Sequence, residues 1–482
     1  MKIQTLTFMA LGIMQLFAAG DLLSQNFVTI HPQDPPEKIV KQAAHVCPSE
    51  RQAAWQELEF TVFIHFGMNT FTNREWGVKG TPASVFNPTA LDADQWVKTA
   101  RMAGAKLLIM VAKHHDGFCL WPSKFTDYSV KNSPWKGGKG DVIAEVATAC
   151  RKNGIKFGIY LSPWDIASPL YGTDDYNTHF KNQLTELLTL YGPVDEVWFD
   201  GACGEGPNGK RQIYDWQEYY NTIRKLQPQA VIAVMGPDVR WVGTESGYGR
   251  ETEWSVVPLA AGSTDSIAVH SQQNGLKDGT FLPPGDMMEE DLGSREKITR
   301  AKNLIWYPSE VDVSIRPGWF YHAEQDTLVK TPEKLVDIWY SSVGRNSVLL
   351  LNLPPDRRGL IHKNDVAALK GMKKILDATF GHDLAEKAIT TMADSVILVE
   401  LPSPVTFDRA MLCEKFRNGQ RVESFRLEAW NGKSWQEVIK GTTIGYKRLL
   451  QFPPVKSARV RLRILSSRDV PEILRIGLFK AP

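Results

Sequence analysis

The sequence predicts an α/β protein in which a (β/α)8 barrel of the TIM type is followed by a C-terminal antiparallel β-sandwich. Strand and helix patterns alternate over residues 55–362, whereas only short alternating runs follow over residues 375–482. Eight strands with intervening helices over about 300 residues are typical of such a barrel. The 482 residues are 43% hydrophobic, which is enough for a sizeable core.

The barrel strands are predicted from short apolar runs at 61–67, 106–112, 156–161, 196–199, 230–235, 252–257, 311–315 and 347–353. Helical patterns lie between several of them, at 92–103, 141–153, 176–191, 214–226, 295–304 and 335–343. Gly104, Gly154 and Gly192 stand where helices should end before a strand. Segment 258–291 is rich in Gly, Ser and Asp and is predicted to be a surface excursion.

The sandwich is predicted from seven short runs after a last helix at 365–376. They span 395–400, 409–414, 424–430, 435–440, 448–452, 458–464 and 473–479. Turn signals such as Asn431-Gly432 separate them, as in an antiparallel sandwich of about 100 residues. Trp430 and Trp435 flank that turn, so the domain is either a carbohydrate-binding module or a packing domain.

The N-terminus resembles an export signal. Lys2 supplies the positive charge, residues 6–17 are mostly apolar, and Ala18-Ala19-Gly20 are small residues suited to cleavage. We therefore expect a signal peptide at 1–20, an arm at 21–54 and a secreted or periplasmic protein; the alternative is an ordinary apolar segment. Since no other run of about 18 apolar residues occurs, no membrane span is expected.

Charge and cysteine content exclude several classes of protein. A net charge of +2 gives no reason to expect nucleic acid or an anionic membrane as partner. The five cysteines are scattered without a CxxC, so neither a zinc site nor a disulfide scaffold is expected. Fifteen Trp residues would suit a sugar-binding protein, because aromatic faces pack against the apolar side of a sugar ring.

Three predicted strands end in polar side chains followed by glycine. In the run Asp195–Gly201, Asp200 follows the apolar strand residues and precedes the glycine. His65 stands at the end of the first strand, and His114-His115 stand at the end of the second. Barrel enzymes place their chemistry at the C-terminal ends of the strands. The three strand ends therefore predict one shared pocket.

Four segments resemble the α-L-fucosidases of glycoside hydrolase family 29. They are HFGMNTF (65–71), KHHDGF (113–118), VWFDG (197–201) and GPDVRWVGTESGYGRETEW (236–254), and the resemblance covers about residues 55–355 in the same order. The last segment is similar to the subgroup that prefers α-1,3 and α-1,4 linkages. The resemblance implies a retaining exo-α-L-fucosidase that acts on terminal fucose of oligosaccharides and glycoconjugates by double displacement, without a cofactor.

Retaining glycoside hydrolysis needs two carboxyls on opposite sides of the scissile bond, about 5–5.5 Å apart. Asp200 suits the nucleophile, because it is short, lies on a rigid strand end and is kept charged by nearby histidines and amide N–H groups. The resemblance gives it the same role. Taken alone, an aspartate before Gly201 would instead be a turn or N-cap residue.

The acid/base has to come from another loop, and the candidates after the fifth strand are Asp238, Glu245, Glu251 and Glu253. The resemblance points to Glu245, whose small neighbours would let the loop fold over the pocket. Thr244 and Ser246 depart from the Asn and Ala often found in the family, and Glu253 remains the alternative acid.

The remaining predicted site residues bind substrate. The resemblance implies that the three histidines bind sugar hydroxyls, that Glu75 and Trp76 reach the hydroxyls and pack the ring, and that Trp319 stands near the C6 methyl. It also places Tyr160 and Trp198 in the pocket. A metal site is the alternative for His65, His114 and His115, but no ExxH or HxxxH spacing supports it.

The sequence leaves three other functions open. An α-L-galactoside hydrolase would differ at C6, where an apolar wall favours fucose. An inverting hydrolase would need carboxyls about 6.5–9.5 Å apart. A non-catalytic fucose-binding protein would not need both carboxyls. The expected partner is a fucosylated glycan, and no obligate protein partner is evident.

Overall fold

The computed structural model describes residues 26–259 and 289–482. Up to residue 352 its strands are β1 (Phe27–Thr29), β2 (Phe60–Ile64), β3 (Leu107–Lys113), β4 (Lys156–Leu161), β5 (Glu196–Phe199), β6 (Val231–Val234), β7 (Arg240–Trp241), β8 (Val256–Leu259), β9 (Asn303–Trp306), β10 (Ser309–Ser314) and β11 (Val348–Asn352).

Eight of these strands form a nearly closed parallel barrel. The order is β6-β5-β4-β3-β2-β11-β10-β7, and every ladder in it is parallel. A single parallel bridge between Ala233 and Val239 joins the two ends. The predicted fold class is confirmed, and parallel strands bring all their carboxyl ends to one mouth.

Ten helices are described, most of them packed around the barrel: α1 (Pro36–Ala43), α2 (Glu50–Gln56), α3 (Met68–Thr72), α4 (Ala93–Ala103), α5 (Val142–Asn153), α6 (Asp175–Leu190), α7 (Trp216–Leu226), α8 (Arg295–Thr299), α9 (Pro332–Ser341) and α10 (Lys363–Phe380). Asp92 and Asp141 cap α4 and α5 by accepting backbone N–H groups, and both helices end at left-handed glycines, Gly104 and Gly154. Within the described ranges, no helix has the length and apolar character to cross a membrane.

One predicted barrel strand is wrong. Residues 252–257 do not enter the barrel; β8 pairs antiparallel with β9, which also pairs with β1 in a separate three-stranded sheet. The barrel instead uses β7, which has two residues and is too short to show a pattern. An apolar run identifies a buried strand but not its sheet, and Val256 and Val257 are fully buried in the side sheet.

A second difference concerns the helix predicted at 295–304. It ends at Thr299, and Leu304 belongs to β9. The N-terminal arm holds β1, α1 and α2 in its described part. Of the predicted excursion at 258–291, residues 260–288 lie outside the described residues, as do residues 1–20 of the expected signal peptide.

The C-terminal domain is antiparallel, with strands β12 (Ile389–Ala393), β13 (Val396–Glu414), β14 (Val422–Trp430), β15 (Trp435–Gly441), β16 (Arg448–Ser467) and β17 (Ile473–Phe479). The order is β12-β13-β16-β14-β15, with β17 on β13. Register shifts interrupt the β13–β16 ladder between residues 400 and 409. The two strands predicted within 395–414 are therefore one long strand, β13, and the two predicted within 448–464 are one long strand, β16. The core of this domain includes Phe407 and Leu462.

Candidate active site

A cavity of about 430 Å³ lies at the carboxyl ends of the barrel strands, and all ten predicted site residues line it. They are His65, Glu75, Trp76, His114, His115, Tyr160, Trp198, Asp200, Glu245 and Trp319. The shared pocket that the strand ends predicted is present. The functional roles of these residues remain predictions.

Asp200 directly follows β5 and has two hydrogen-bond donors. Tyr160 Oη donates to Oδ2 at 2.9 Å, and the backbone N–H of Ala202 donates to Oδ1 at 2.7 Å. His115 Nε2 lies 3.8 Å from Oδ2. Since the side chain is 26% exposed, the carboxylate is held by donors while keeping access to the cavity. This is what a nucleophile needs.

Glu245 reaches the same cavity from the loop after β7. Trp319 Nε1 donates to its Oε2 at 3.1 Å. Partial burial raises the pKa of the Glu245 carboxyl, and the negative charges of Asp200 and Glu75 raise it further, while the Trp319 hydrogen bond acts in the opposite direction. A raised pKa suits a general acid, which has to carry a proton at working pH.

The alternative acid, Glu253, does not line the cavity. Its side chain is 1% exposed, it forms an ion pair with Arg240, and Arg250 Nη1 lies 3.5 Å from its Oε2. The other two candidates are also held by arginines outside the cavity: Asp238 by Arg51 and Arg224, and Glu251 by Arg345 and Arg448. Of the four candidates, geometry supports only Glu245.

His65 has a defined tautomer. Its Nδ1 lies 2.8 Å from Asn352 Oδ1, and the Asn352 amide group donates to Ser314 Oγ and to the Trp319 carbonyl. Because the Asn352 oxygen can only accept, His65 Nδ1 is the protonated nitrogen and Nε2 is an acceptor. Burial lowers the pKa of His65 to about 4, so the ring is neutral at neutral pH.

His114 and His115 are opposite tautomers. Asn69 Nδ2 donates to His114 Nδ1 at 3.4 Å, which leaves Nε2–H as a donor. The Ser162 hydroxyl donates to the Trp164 carbonyl and therefore accepts from His115 Nδ1 at 2.7 Å, which leaves Nε2 as an acceptor. Burial lowers the pKa of both rings. The cavity thus has one imidazole donor and two acceptors, which matches adjacent sugar hydroxyls.

Glu75 and Trp76 form the rim. Glu75 accepts the backbone N–H groups of Trp319 at 2.8 Å and Phe320 at 3.3 Å, and His322 Nε2 lies 2.5 Å from its Oε1. Trp76 is 56% exposed, and its ring packs against His115 with centroids 5.1 Å apart. The rim therefore presents one large aromatic face to solvent, beside a carboxylate that also orders the Trp319 turn.

Sequence reasoning missed several residues that build the cavity. Asn352 ends β11 after an apolar run, so the strand-end rule that found His65 and Asp200 could have found it. Asp312 interrupts an apolar strand and lines the cavity beside Trp241. His322 and Ser162 act through Glu75 and His115, and no local pattern reveals contacts of that kind. Within the described ranges, no group of three or more His, Cys, Asp or Glu side chains could hold a metal ion.

Comparison with known proteins gives a consistent result. The sequence profile of the family described as alpha-L-fucosidase matches residues 31–379. A putative alpha-L-fucosidase 1 of Oryza sativa subsp. japonica is 40% identical, with 93% of this chain and 87% of that one covered. Alpha-L-fucosidase 1 of Arabidopsis thaliana is 39% identical, with 90% and 87% covered.

Solved structures agree. The crystal structure of a putative alpha-L-fucosidase from Bacteroides ovatus ATCC 8483 is 50% identical and superimposes with a TM-score of 0.88, covering 95% of this chain and 78% of that one. A Ruminococcus gnavus GH29 fucosidase, solved in complex with fucose, is 30% identical with a TM-score of 0.76, covering 90% and 95%.

Proposed function

The chain belongs to the α-L-fucosidase family of glycoside hydrolases, and from this membership we propose that it is a retaining exo-enzyme that removes terminal α-1,3- or α-1,4-linked L-fucose from oligosaccharides and glycoconjugates. The observation that carries the proposal is that Asp200 and Glu245 reach one cavity from different strand ends. Of the other two carboxylates among its described lining residues, Glu75 is partly exposed and Asp312 is buried.

In the first step, Asp200 attacks the anomeric carbon while Glu245 gives its proton to the leaving oxygen. The bond from carbon to the leaving group breaks as the bond to Asp200 forms, and a glycosyl ester results. Tyr160 and the Ala202 N–H hold the attacking carboxylate in one orientation. Holding it in place reduces the entropic part of the barrier.

In the second step, Glu245 acts as a base. It takes a proton from water as the water oxygen attacks the anomeric carbon, and the ester bond to Asp200 breaks. Fucose leaves with its original configuration, and both carboxyls return to their starting protonation. The surroundings of Glu245 suit both roles, because burial favours the protonated form and the Trp319 N–H favours the carboxylate.

Recognition of fucose is supported by the walls of the cavity. The three neutral histidines provide a donor and two acceptors for hydroxyls, whereas Phe63, Trp198 and Trp319 provide apolar surface. The Phe63 ring packs edge-on against Trp198 at 5.1 Å and Trp319 at 6.3 Å. An apolar wall around C6 would disfavour an L-galactoside, whose extra hydroxyl would stay without a partner.

The stereochemistry of the product tests the mechanism. An aryl α-L-fucoside is hydrolysed in an NMR tube, and the first fucose released should be the α anomer; β-fucose as the first product would identify an inverting enzyme. Asp200→Ala should be inactive and recover part of its activity with azide, giving β-fucosyl azide. Glu245→Ala should keep far more activity on a substrate with a good leaving group than on a natural glycan.

Linkage preference needs a separate experiment. A panel of fucosylated oligosaccharides with α-1,2, α-1,3, α-1,4 and α-1,6 linkages is compared with an aryl fucoside under identical conditions. Preferential release from the α-1,3 and α-1,4 members supports the proposal. Cleavage of the aryl compound alone, or of the α-1,2 member first, would remove the linkage claim and leave the fucosidase activity intact.

We also propose that the protein is exported. The support is Lys2, the mostly apolar run 6–17 and the small residues 18–20. Cell fractionation and the mass of the mature N-terminus test this. A protein that starts near residue 21 outside the cytoplasm is expected, whereas an uncleaved cytoplasmic chain would contradict export.

A further inference from the structure

The inward face of β10 supports three parts of the active site. Side chains two residues apart on a strand point to the same side, so positions 310, 312 and 314 all face the barrel interior. Each accepts a hydrogen bond from a neighbouring side chain: Glu310 from Trp198 at 2.7 Å, Asp312 from Trp241 at 2.8 Å, and Ser314 from Asn352 at 2.9 Å. The proposed chemistry gives the middle residue, Asp312, no role.

Asp312 is a buried carboxyl without a cationic partner. Its exposure is 3%, and within the described parts of the chain no Lys, Arg or His forms an ion pair with it. The titratable side chains that face it are the carboxyls Glu245 and Glu310. Burial raises the pKa of Asp312 well above its ordinary value, the Trp241 hydrogen bond acts in the opposite direction, and the neighbouring carboxyls Glu245 and Glu310 raise it further. Burial among carboxyls therefore favours the protonated, uncharged form of Asp312.

The partner of Asp312 lies on the shortest barrel strand. β7 has two residues and is tied to its neighbour by backbone bonds from Arg240 N to Pro308 O at 3.0 Å and from Val242 N to Glu310 O at 2.9 Å. On its other side only the Ala233–Val239 bridge closes the barrel. The Arg240 side chain anchors the first residue of β7 through the Tyr307 carbonyl and Glu253, whereas the Trp241 side chain is tied by the bond from its Nε1 to Asp312 Oδ1.

Glu245 follows four residues after Trp241, and both line the cavity. We propose that Asp312 is a positioning residue, which accepts the Trp241 indole N–H and thereby fixes the segment from Trp241 to Glu245 over the cavity. This inference rests on the proposed role of Glu245 as the acid/base. Asp312 itself does not react; it sets the position from which Glu245 protonates the leaving oxygen.

The test uses the full chain with Asp312→Asn, Asp312→Leu, Trp241→Phe and the double variant Asp312→Leu/Trp241→Phe. The value of kcat/KM is measured on an aryl fucoside with an acidic phenol and on an unactivated fucosyl disaccharide, which needs the acid far more. Asp312→Leu and Trp241→Phe should each lose about 10- to 100-fold on the disaccharide and less on the aryl substrate. The double variant should lose no more than either single one.

Asp312→Asn tests whether an uncharged hydrogen-bond acceptor at position 312 is sufficient for activity. The amide oxygen can accept the indole N–H without charge, so this variant should stay within about threefold of wild type on both substrates. Trp121→Phe is a matched control, because Trp121 Nε1 donates to Glu186 Oε2 at 2.9 Å away from the cavity. Trp121→Phe should leave the ratio of the kcat/KM values for the two substrates unchanged.

Hydrogen exchange provides a measurement that does not depend on turnover. Peptides covering residues 241–250 should exchange faster in Asp312→Leu and Trp241→Phe, and at the wild-type rate in Asp312→Asn. Unchanged exchange in both of the first two variants, equal losses on the two substrates, or an Asn variant as damaged as the Leu variant would each overturn the inference. If wild type cleaves no fucoside, the proposed function fails, while exchange still decides whether Asp312 fixes the segment.

Discussion

The indole N–H of Trp319 donates to Glu245 Oε2 at 3.1 Å. The backbone N–H of the same tryptophan donates to Glu75 Oε2 at 2.8 Å. One residue therefore orders the proposed acid/base and the rim carboxylate together. It also contributes an aromatic wall, so recognition of the sugar and protonation of the leaving group depend on the same turn after β10.

Trp319→Phe should move the basic limb of the pH profile of kcat/KM to higher pH. The Trp319 N–H stabilises the Glu245 carboxylate, so removing it raises the pKa of Glu245 and keeps the acid protonated further into the alkaline range. The phenyl ring retains most of the apolar wall. Trp339→Phe, which packs against Phe60 instead, is the control and should leave the limb in place. A limb that moves to lower pH would contradict this assignment.

Tyr160→Phe should lower kcat/KM by about 10- to 100-fold, because a hydrogen bond to the charged nucleophile is lost. Burial raises the pKa of Tyr160 well above its usual value, so the hydroxyl remains a donor and the loss should be the same across the working pH range. Tyr191→Phe is a matched control, since Tyr191 Oη donates to Asp141 Oδ2 at 3.0 Å away from the cavity. A Tyr160 variant with wild-type rates would contradict the role of this contact.

The contribution of His65 to the free energy of unfolding should fall as the pH is lowered from about 6.5 towards 4. Burial lowers the pKa of His65 to about 4, so in this range the unfolded chain binds a proton that the folded chain does not. His114 and His115 shift in the same direction. The pH range is bounded by the ordinary pKa of histidine, about 6.5, and the lowered pKa of His65, about 4. The loss of unfolding free energy due to His65 therefore levels off below pH 4.

Urea unfolding at a series of pH values measures this dependence. The unfolding free energy of wild type minus that of His65→Asn should fall as the pH is lowered from 6.5 to 4, whereas the same difference for the exposed His382 should not change. If that difference for His65→Asn stays constant between pH 6.5 and 4, His65 is protonated as readily in the folded state as in the unfolded chain. The tautomer assigned to His65 would then be wrong.

Much of the site could be predicted because its residues lie at strand ends. Apolar strands followed by polar residues and glycine located His65, His114 and Asp200, and parallel strands necessarily bring their ends together. The resemblance to the α-L-fucosidases added Glu245 and Trp319, which no periodicity marks. The rest depended on contacts between residues distant in sequence.

The errors have the same physical origin. β7 has two residues and no pattern, so the sequence favours residues 252–257 as a barrel strand although they belong to the side sheet. The bulges in β13 and β16 made each long strand resemble two short ones. Asn352 and Asp312 act by fixing His65 and Trp241, and such support is visible only when the strands are placed side by side.

Glu253 and Glu245 should respond in opposite ways to the same isosteric substitution. Glu253→Gln removes the carboxylate that faces buried Arg240 and should cost about 3–5 kcal/mol of unfolding free energy, because a buried charge loses its partner. Below its unfolding temperature this variant should still hydrolyse an aryl fucoside. Glu245→Gln should unfold close to wild type and lose activity on natural glycans. Urea midpoints and kcat/KM, measured on both variants, decide the matter: a stable but inactive Glu253→Gln would make Glu253 the acid after all.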